Sequence, residues 1–241
     1  MKAAVDLHIH SCLSPCAEND MTPGNIAGMA HIKGLDIIAV ADHNAARNLL
    51  AVEACCAAMG VVLLPAIEVT TAEEVHALCY FPTVAAAMAM DARLDEVRLP
   101  IPHSEKLGLQ QLIMDEDDNV LGEIKLWLPP AVGFTLDETV ALAGELGGLV
   151  VPAHINRGST GLLQALGFLP PDAGFAALEI SPTAPAPLCD LGRYKILSSS
   201  DAHRLEDIAE REHFLELPDV SRQALFDALL AWQRRALRVS P

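Results

Sequence analysis

Residues 5–16, VDLHIHSCLSPC, break an apolar run at every second position with Asp6, His8 and His10. In an extended strand, residues two apart project from the same face. One face would therefore carry a carboxylate and two imidazoles. A half-exposed edge strand with a polar face would account for this, and so would a metal, which His-x-His on a strand can chelate. The rest of the chain decides between the two readings, and with them the fold.

The chain has 241 residues, 51% of them apolar and 20% charged, with only 4% aromatic. That length and composition fit one packed domain whose core is built from Ala, Leu and Val. No window approaches the roughly 18 unbroken apolar residues of a membrane span. The opening MKAAVDLHIH lacks a signal-peptide pattern, so the expected location is the cytoplasm. The six cysteines form no CxxC pair and read as reduced thiols. A formal charge of −16 argues against a nucleic-acid partner, which normally needs a basic footprint. Carboxylates that hold divalent cations are counted in that figure, however, and bound metal would reverse the local potential.

Apolar β-branched runs alternate with helical stretches. Strands are expected at 3–10, 36–43, 61–70, 74–81, 148–155, 177–181 and 194–203. Helices are expected at 23–34, 45–59, 83–97, 136–147, 159–167 and near 221–235. Thr22-Pro23 is a cap followed by proline at the first helical position, and Thr135 with Glu138 has capping-box spacing. Near-continuous apolar strands between helices indicate a parallel sheet covered on both faces, and about seven repeats favour a barrel over an open sheet. Residues 99–130 break the rhythm with prolines and the acidic turn DEDDN at 115–119. They read as an inserted β-hairpin, a solvated excursion with a lid over the site as the alternative.

The unusual residues are not scattered. His8 and His10 end the first strand, Asp42 and His43 the second in ADHN, and Glu68 the third in AIEVT. His76 lies in the fourth, His154 ends the fifth in PAHIN, and Asp201 and His203 end the last in SSDAH. Six of nine histidines thus sit at or near strand carboxyl ends, which converge on one face of a parallel barrel. Core histidines would fall anywhere along a strand, and caps or polar loops would have to explain each motif separately. A metal site explains them together.

The order D-x-H-x-H, D-H-N, E-V-T, H, P-A-H, S-D-A-H, spanning positions 6 to 203, resembles the polymerase and histidinol phosphatase (PHP) family of metal-dependent phosphoesterases. The resemblance implies a distorted TIM-like (β/α)7 barrel holding two or three divalent metals. His8, His10, Glu68 and Asp201 would hold the first. Glu68 would bridge to a second, completed by His76 and His154, and His43 and His203 would hold the third. The chain departs from the family at SPCAEND, 14–20, where Pro15 stands in place of the usual Asp. Cys16 is the nearest replacement ligand, since thiolate suits zinc or iron. Glu18 or Asp20 would serve if the loop folded inward, and a buried structural Cys16 with only two metals is the other outcome.

Mixed His and carboxylate ligation suits Zn²⁺, Mn²⁺ or Fe²⁺ better than Ca²⁺ or Mg²⁺. Such a centre supports hydrolysis of a phosphate ester, with Glu68 and Asp201 at the reacting metals. Asp6, two residues before His8, would orient a ligand imidazole. Arg157 in the Gly-rich INRGSTG and Arg47 after ADHN are candidates for the phosphate, for which the guanidinium fork is suited; Arg204 reads as a surface partner. The expected substrate is a small phosphorylated or nucleotide-like molecule. Two other readings compete: an amidohydrolase-type C–N hydrolase, which also begins with HxH on a barrel strand, and a polymerase-associated module with a nuclease or metal-binding role.

Overall fold

The computed structural model describes residues 1–238. In chain order the elements are β1 (Lys2–Ile9), α1 (Pro23–Ile32), β2 (Ile37–Val40), α2 (Leu49–Met59), β3 (Val62–Leu63), β4 (Ala66–Thr70), β5 (His76–Tyr80), α3 (Val84–Val97), β6 (Leu112–Met114), β7 (Val120–Glu123), α4 (Leu136–Glu145), β8 (Leu149–Pro152), α5 (Leu162–Leu166), β9 (Leu178–Glu179), β10 (Ile196–Leu197), β11 (Phe214–Glu216) and α6 (Arg222–Arg238). Local chemistry sets several boundaries. Thr22 caps α1 ahead of Pro23 by accepting from the Asn25 amide, and Thr135 and Glu138 form a reciprocal capping box on α4. The apolar run 61–70 does not make one strand. It breaks into β3 and β4 at Pro65, which has no amide to give a ladder.

The strands form a mixed α/β arrangement in separate ladders rather than one closed sheet. One ladder runs β11-β1-β2-β3, another β4-β5-β8, and β9-β10 and β6-β7 stand as pairs. β1, β2 and β3 are mutually parallel. The all-parallel expectation fails at β5, which is antiparallel to both β4 and β8. The reason is the connection: only residues 71–75 separate β4 from β5, too few for the crossover that parallel strands require. His76 therefore opens its strand instead of ending it. This inversion brings it to the same edge as Glu68, opposite Thr70 in the ladder.

Alternate positions divide the core. Val5, Leu7, Ile37, Ala39, Leu78, Tyr80, Leu149 and Val151 pack together with Leu225, Phe226 and Leu229 of α6. Ile38, Val40, Ile67, Val69, Ala77, Cys79 and Val150 pack with residues of α1 to α4. Strands with both faces buried and helices outside are the consequence. The β6-β7 hairpin is no free excursion. Leu112 donates to the Cys12 carbonyl at 2.9 Å and Leu109 to the Pro15 carbonyl at 2.7 Å, while Asn48 reaches Ser11, Leu112 and Met114. The hairpin is thereby fastened to loop 11–20. Among the described residues no helix is long and apolar enough to cross a membrane.

Candidate metal centre

Glu68 lies at the middle of the site, with its side chain 1% exposed. Its Oε1 stands 2.8 Å from His76 Nδ1, 3.2 Å from His154 Nε2 and 3.4 Å from His8 Nε2. Its Oε2 stands 3.0 Å from His43 Nδ1 and 3.4 Å from His10 Nε2. Five imidazoles thus surround one carboxylate. Asp201 adds a second, its Oδ1 3.2 Å from His10 Nε2 and 3.4 Å from His8 Nε2. Three sets of donors lie close enough to share an ion: His8, His10 and Asp201; His43, Glu68 and His76; and His10, Cys16, His43 and His203. The centre is sealed beneath by His8, His10 and Glu68 and opens at Cys16, His203 and Arg157.

Backbone geometry aims these groups. His154 and Asp201 both hold a positive φ, 27° and 53°, conformations that side-chain-bearing residues adopt at a cost and that cluster at functional sites. His154 is in a turn closed by the Arg157 amide on the His154 carbonyl. Gly161 folds back onto this turn, and a Cβ there would lie 2.3 Å from the Arg157 carbonyl oxygen. Only glycine lets the chain pass.

The proton positions on two rings follow from their partners. Ser14 Oγ donates to Asp42 Oδ1 at 2.6 Å, so it can only accept from His10 Nδ1 at 3.1 Å. Glu179 accepts from His8 Nδ1 at 3.0 Å. With both Nδ1 atoms protonated, the His8 and His10 Nε2 lone pairs face one another across 3.2 Å. Such a contact needs a proton or a cation between them. Glu68 Oε2 and His154 Nδ1 are also buried without a hydrogen bond. Imidazoles oriented by carboxylate and hydroxyl partners, with lone pairs converging on two carboxylates, fit divalent metal.

Charge balance points the same way. Burial alone would raise the Glu68 carboxyl, but His76, His8 and His43 hold it well below the usual range. Burial would lower the imidazoles, yet Glu179, Asp201 and Glu68 carry His8 well above its ordinary value. His10, despite burial and the charge of His43, is raised to about 9 by Asp201 and Glu68. For His43, Cys16 and Glu68 outweigh burial. For His76 burial prevails, and its pKa falls. The Cys16 thiol, which burial would raise, is pulled down to about 5 by His43 and His203.

His8, His10, Cys16, His43, Glu68, His76, His154, Asp201 and His203 all lie in this cluster, whereas two supporting residues stand elsewhere. Asp6 touches no imidazole. A register irregularity between Asp6 and Ile9 breaks the alternation that would have aligned it with His8. Its carboxylate instead accepts from the Ser200 amide and hydroxyl and from the Ala209 amide, anchoring the segment that carries Asp201 and His203. Arg47 is withdrawn from the site by Asp91, 2.5 Å away, and by Asp95. Arg157, by contrast, pairs with Asp201 Oδ2 at the open edge. Of the alternative third-site ligands, Glu18 pairs with Arg204 at 3.0 Å. Glu179, Ser14 and Ser200 were not singled out. Glu179 carried a signal: ALEIS at 177–181 repeats the strand-end pattern of AIEVT around Glu68.

No protein-family model matches the chain, and no curated protein matches it. Solved structures do share its fold. The lesion-specific Endonuclease Q from Pyrococcus furiosus aligns with a TM-score of 0.72 at 23% identity, over 96% of this chain and 56% of its own. A protein from Bifidobacterium adolescentis, provisionally described as a metal-dependent phosphoesterase, aligns with a TM-score of 0.60 at 18% identity, over 92% and 95%. An amidohydrolase from Chromobacterium violaceum with bound sulfate aligns with a TM-score of 0.55 at 20% identity, over 95% and 97%. The likeness is one of fold, and it extends to an endonuclease, a protein described as a phosphoesterase and an amidohydrolase alike. The chain spans little more than half of Endonuclease Q. A second Endonuclease Q structure, with a TM-score of 0.67 at 23% identity over 96% and 57%, holds a 27-mer duplex with an abasic lesion at the active site. This overturns the exclusion of nucleic acid drawn from the net charge. A total of −16 says little about the potential at one metal-bearing face.

Proposed function

We infer that the chain is a metal-dependent hydrolase of phosphate esters, with phosphodiesters of nucleic-acid type among its candidate substrates. The observation that carries this reading is one buried carboxylate, Glu68, ringed by five imidazoles. In it, His8, His10 and Asp201 would hold one cation and His76 and His154 a second, with Glu68 available to both. Zn²⁺, Mn²⁺ and Fe²⁺ are the metals such donors favour. Divalent cations bound here supply neutralisation of phosphoryl oxygens and acidify water. The chain's own groups do the rest. Glu179 and Ser14 hold the His8 and His10 rings in the tautomer that leaves Nε2 free. Arg157, half-exposed beside Asp201, offers its fork to a phosphoryl group entering from the open side.

The reading also takes the separate ladders as arcs of a distorted seven-stranded barrel in the order β1-β2-β4-β5-β8-β9-β10. Parallel bridges His43–Glu68 and Ile9–Ala202, and hydrogen bonds from Ala176 to Val150 and from Ile155 to Glu179, link the separate ladders in that sequence. The test of function is a comparison of a nitrophenyl phosphate monoester, a bis-nitrophenyl phosphate diester and an abasic-site duplex. Each is assayed with metal-loaded and chelator-treated protein. Metal-dependent cleavage of at least one is expected. If the loaded protein opens lactones or amides and cleaves no phosphate ester, the reading fails.

A further inference from the structure

We propose that the Cys16 thiolate is a metal ligand, forming with His43 and His203 a separate site for a thiophilic cation of the zinc or cobalt type on the open side of the centre. This rests on the reading of the centre as a divalent-metal site and goes beyond it in naming the donor and the class of metal.

The donor atoms of Cys16, His10, His43 and His203 all lie within 4.8 Å of one another. His10 is committed elsewhere, its Nδ1 to Ser14 and its Nε2 to the side of His8 and Asp201. His203 Nδ1 donates to the Asp201 carbonyl at 2.8 Å, which leaves Nε2 as its free donor. Cys16, His43 and His203 remain, three protein donors with room for a fourth ligand. Three ligands and an open position mark zinc sites that exchange a bound molecule. A thiolate among them selects softer cations over Mg²⁺ or Ca²⁺.

The loop holds Cys16 in place from several directions. Ser11 and Ser14 bind Asp42, the Glu18 amide donates to the His203 carbonyl at 2.9 Å, and Leu109 donates to the Pro15 carbonyl. Gly108, at φ +154°, approaches so closely that a Cβ would sit 2.6 Å from the Pro15 oxygen. The loop's carboxylates do not compete: Glu18 turns to Arg204, and neither it nor Asp20 is among the clustered donors. Cys12, Cys55, Cys56 and Cys79 are buried, as structural cysteines are, while Cys16 is exposed beside three imidazoles.

The full chain loaded with Co²⁺ tests this without reference to activity. A near-ultraviolet thiolate-to-cobalt charge-transfer band is expected. Cys16→Ser should lose the band and bind one fewer cobalt per chain, while Cys189→Ser, at the other exposed cysteine, should keep both. Alkylation of the unmutated protein by iodoacetamide, mapped by peptide mass spectrometry, gives a second readout: Zn²⁺ should protect Cys16 and leave Cys189 reactive. A full complement of cobalt with no thiolate band, or equal alkylation of Cys16 with and without zinc, overturns the proposal and leaves the hydrolase reading standing. Failure to take up any divalent metal overturns both.

Discussion

Glu179 Oε2 lies 3.0 Å from His8 Nδ1 and accepts a second hydrogen bond, also 3.0 Å, from the His154 amide. One buried carboxylate thus fixes the tautomer of one candidate ligand, His8, and the strained backbone of another, His154. Glu179→Ala should weaken metal binding by roughly 10–100-fold, read by competition with a chromogenic chelator. Unaltered affinity would mean that His8 is oriented by packing alone.

Glu68→Gln should do more damage than loss of any single histidine. The amide keeps the size of the side chain but removes the charge at the centre of five rings, and it presents hydrogens where lone pairs are needed. Metal analysis of the purified variant should show depletion of more than one ion per chain, with activity below that of His76→Ala or His154→Ala. A variant that keeps its full metal content would remove Glu68 from the bridging position.

The metal-free protein should have an unusual pH profile. His8 and His43 are raised above 6.5 and His10 reaches about 9, whereas Glu68 is depressed below 4.5. The stabilisation from the raised imidazoles is fully present below 6.5 and is lost as pH climbs through their folded-state values, about 9 for His10. That from the carboxylate is present above 4.5 and is lost as pH falls. After chelation, Tm should therefore peak between about 4.5 and 6.5 and decline towards alkaline pH. Metal needs the imidazoles neutral, so its uptake should release protons and strengthen as pH rises. A chelated protein whose Tm increases up to pH 9 would contradict the charge assignment.

The clustering of donor side chains was legible because chemistry and position coincided: His, Asp and Glu recur where apolar strands end, and those ends are gathered together. His76 joined them for a different reason, the inversion of β5 after a five-residue loop, which strand pattern alone does not disclose. Asp6 was misread because alternation holds only in regular strands, and the irregularity after it leaves no mark in VDLHIH. Glu179 was passed over because a lone strand-end carboxylate looks the same whether it binds a metal or an imidazole. The short terminal strand β11, antiparallel to β1, has no run long enough to be read from pattern.

Asp6→Asn should act on both groups of the SSDAH segment at once. The carboxylate accepts the Ser200 amide, the Ser200 hydroxyl and the Ala209 amide, and an amide can match only part of that. Hydrogen bonds to a charged acceptor contribute about 1.5–3 kcal/mol each, so a Tm decrease is expected together with weaker metal binding. Normal metal affinity in a destabilised variant would restrict Asp6 to the core.

The two arginines proposed for phosphate recognition should separate cleanly on mutation. Arg47 neutralises Asp91, whose side chain is 1% exposed, and binds Asp95 on the same helix. Arg98 stands 3.7 Å from Asp91 and offers partial compensation. Arg47→Ala leaves a buried carboxylate short of its nearest cation, a loss of about 2 kcal/mol once the half-exposed position of Arg47 is allowed for. KM should hardly change. Arg157 has the opposite profile: its side chain is 42% exposed at the mouth of the centre and binds Asp201. Arg157→Ala should leave Tm nearly unchanged and raise KM for a phosphate ester. Arg157→Lys should restore only part of the affinity, because an ammonium cannot reproduce the bidentate fork. A KM increase confined to Arg47→Ala would reverse the assignment and place the phosphate on the α3 side of the centre.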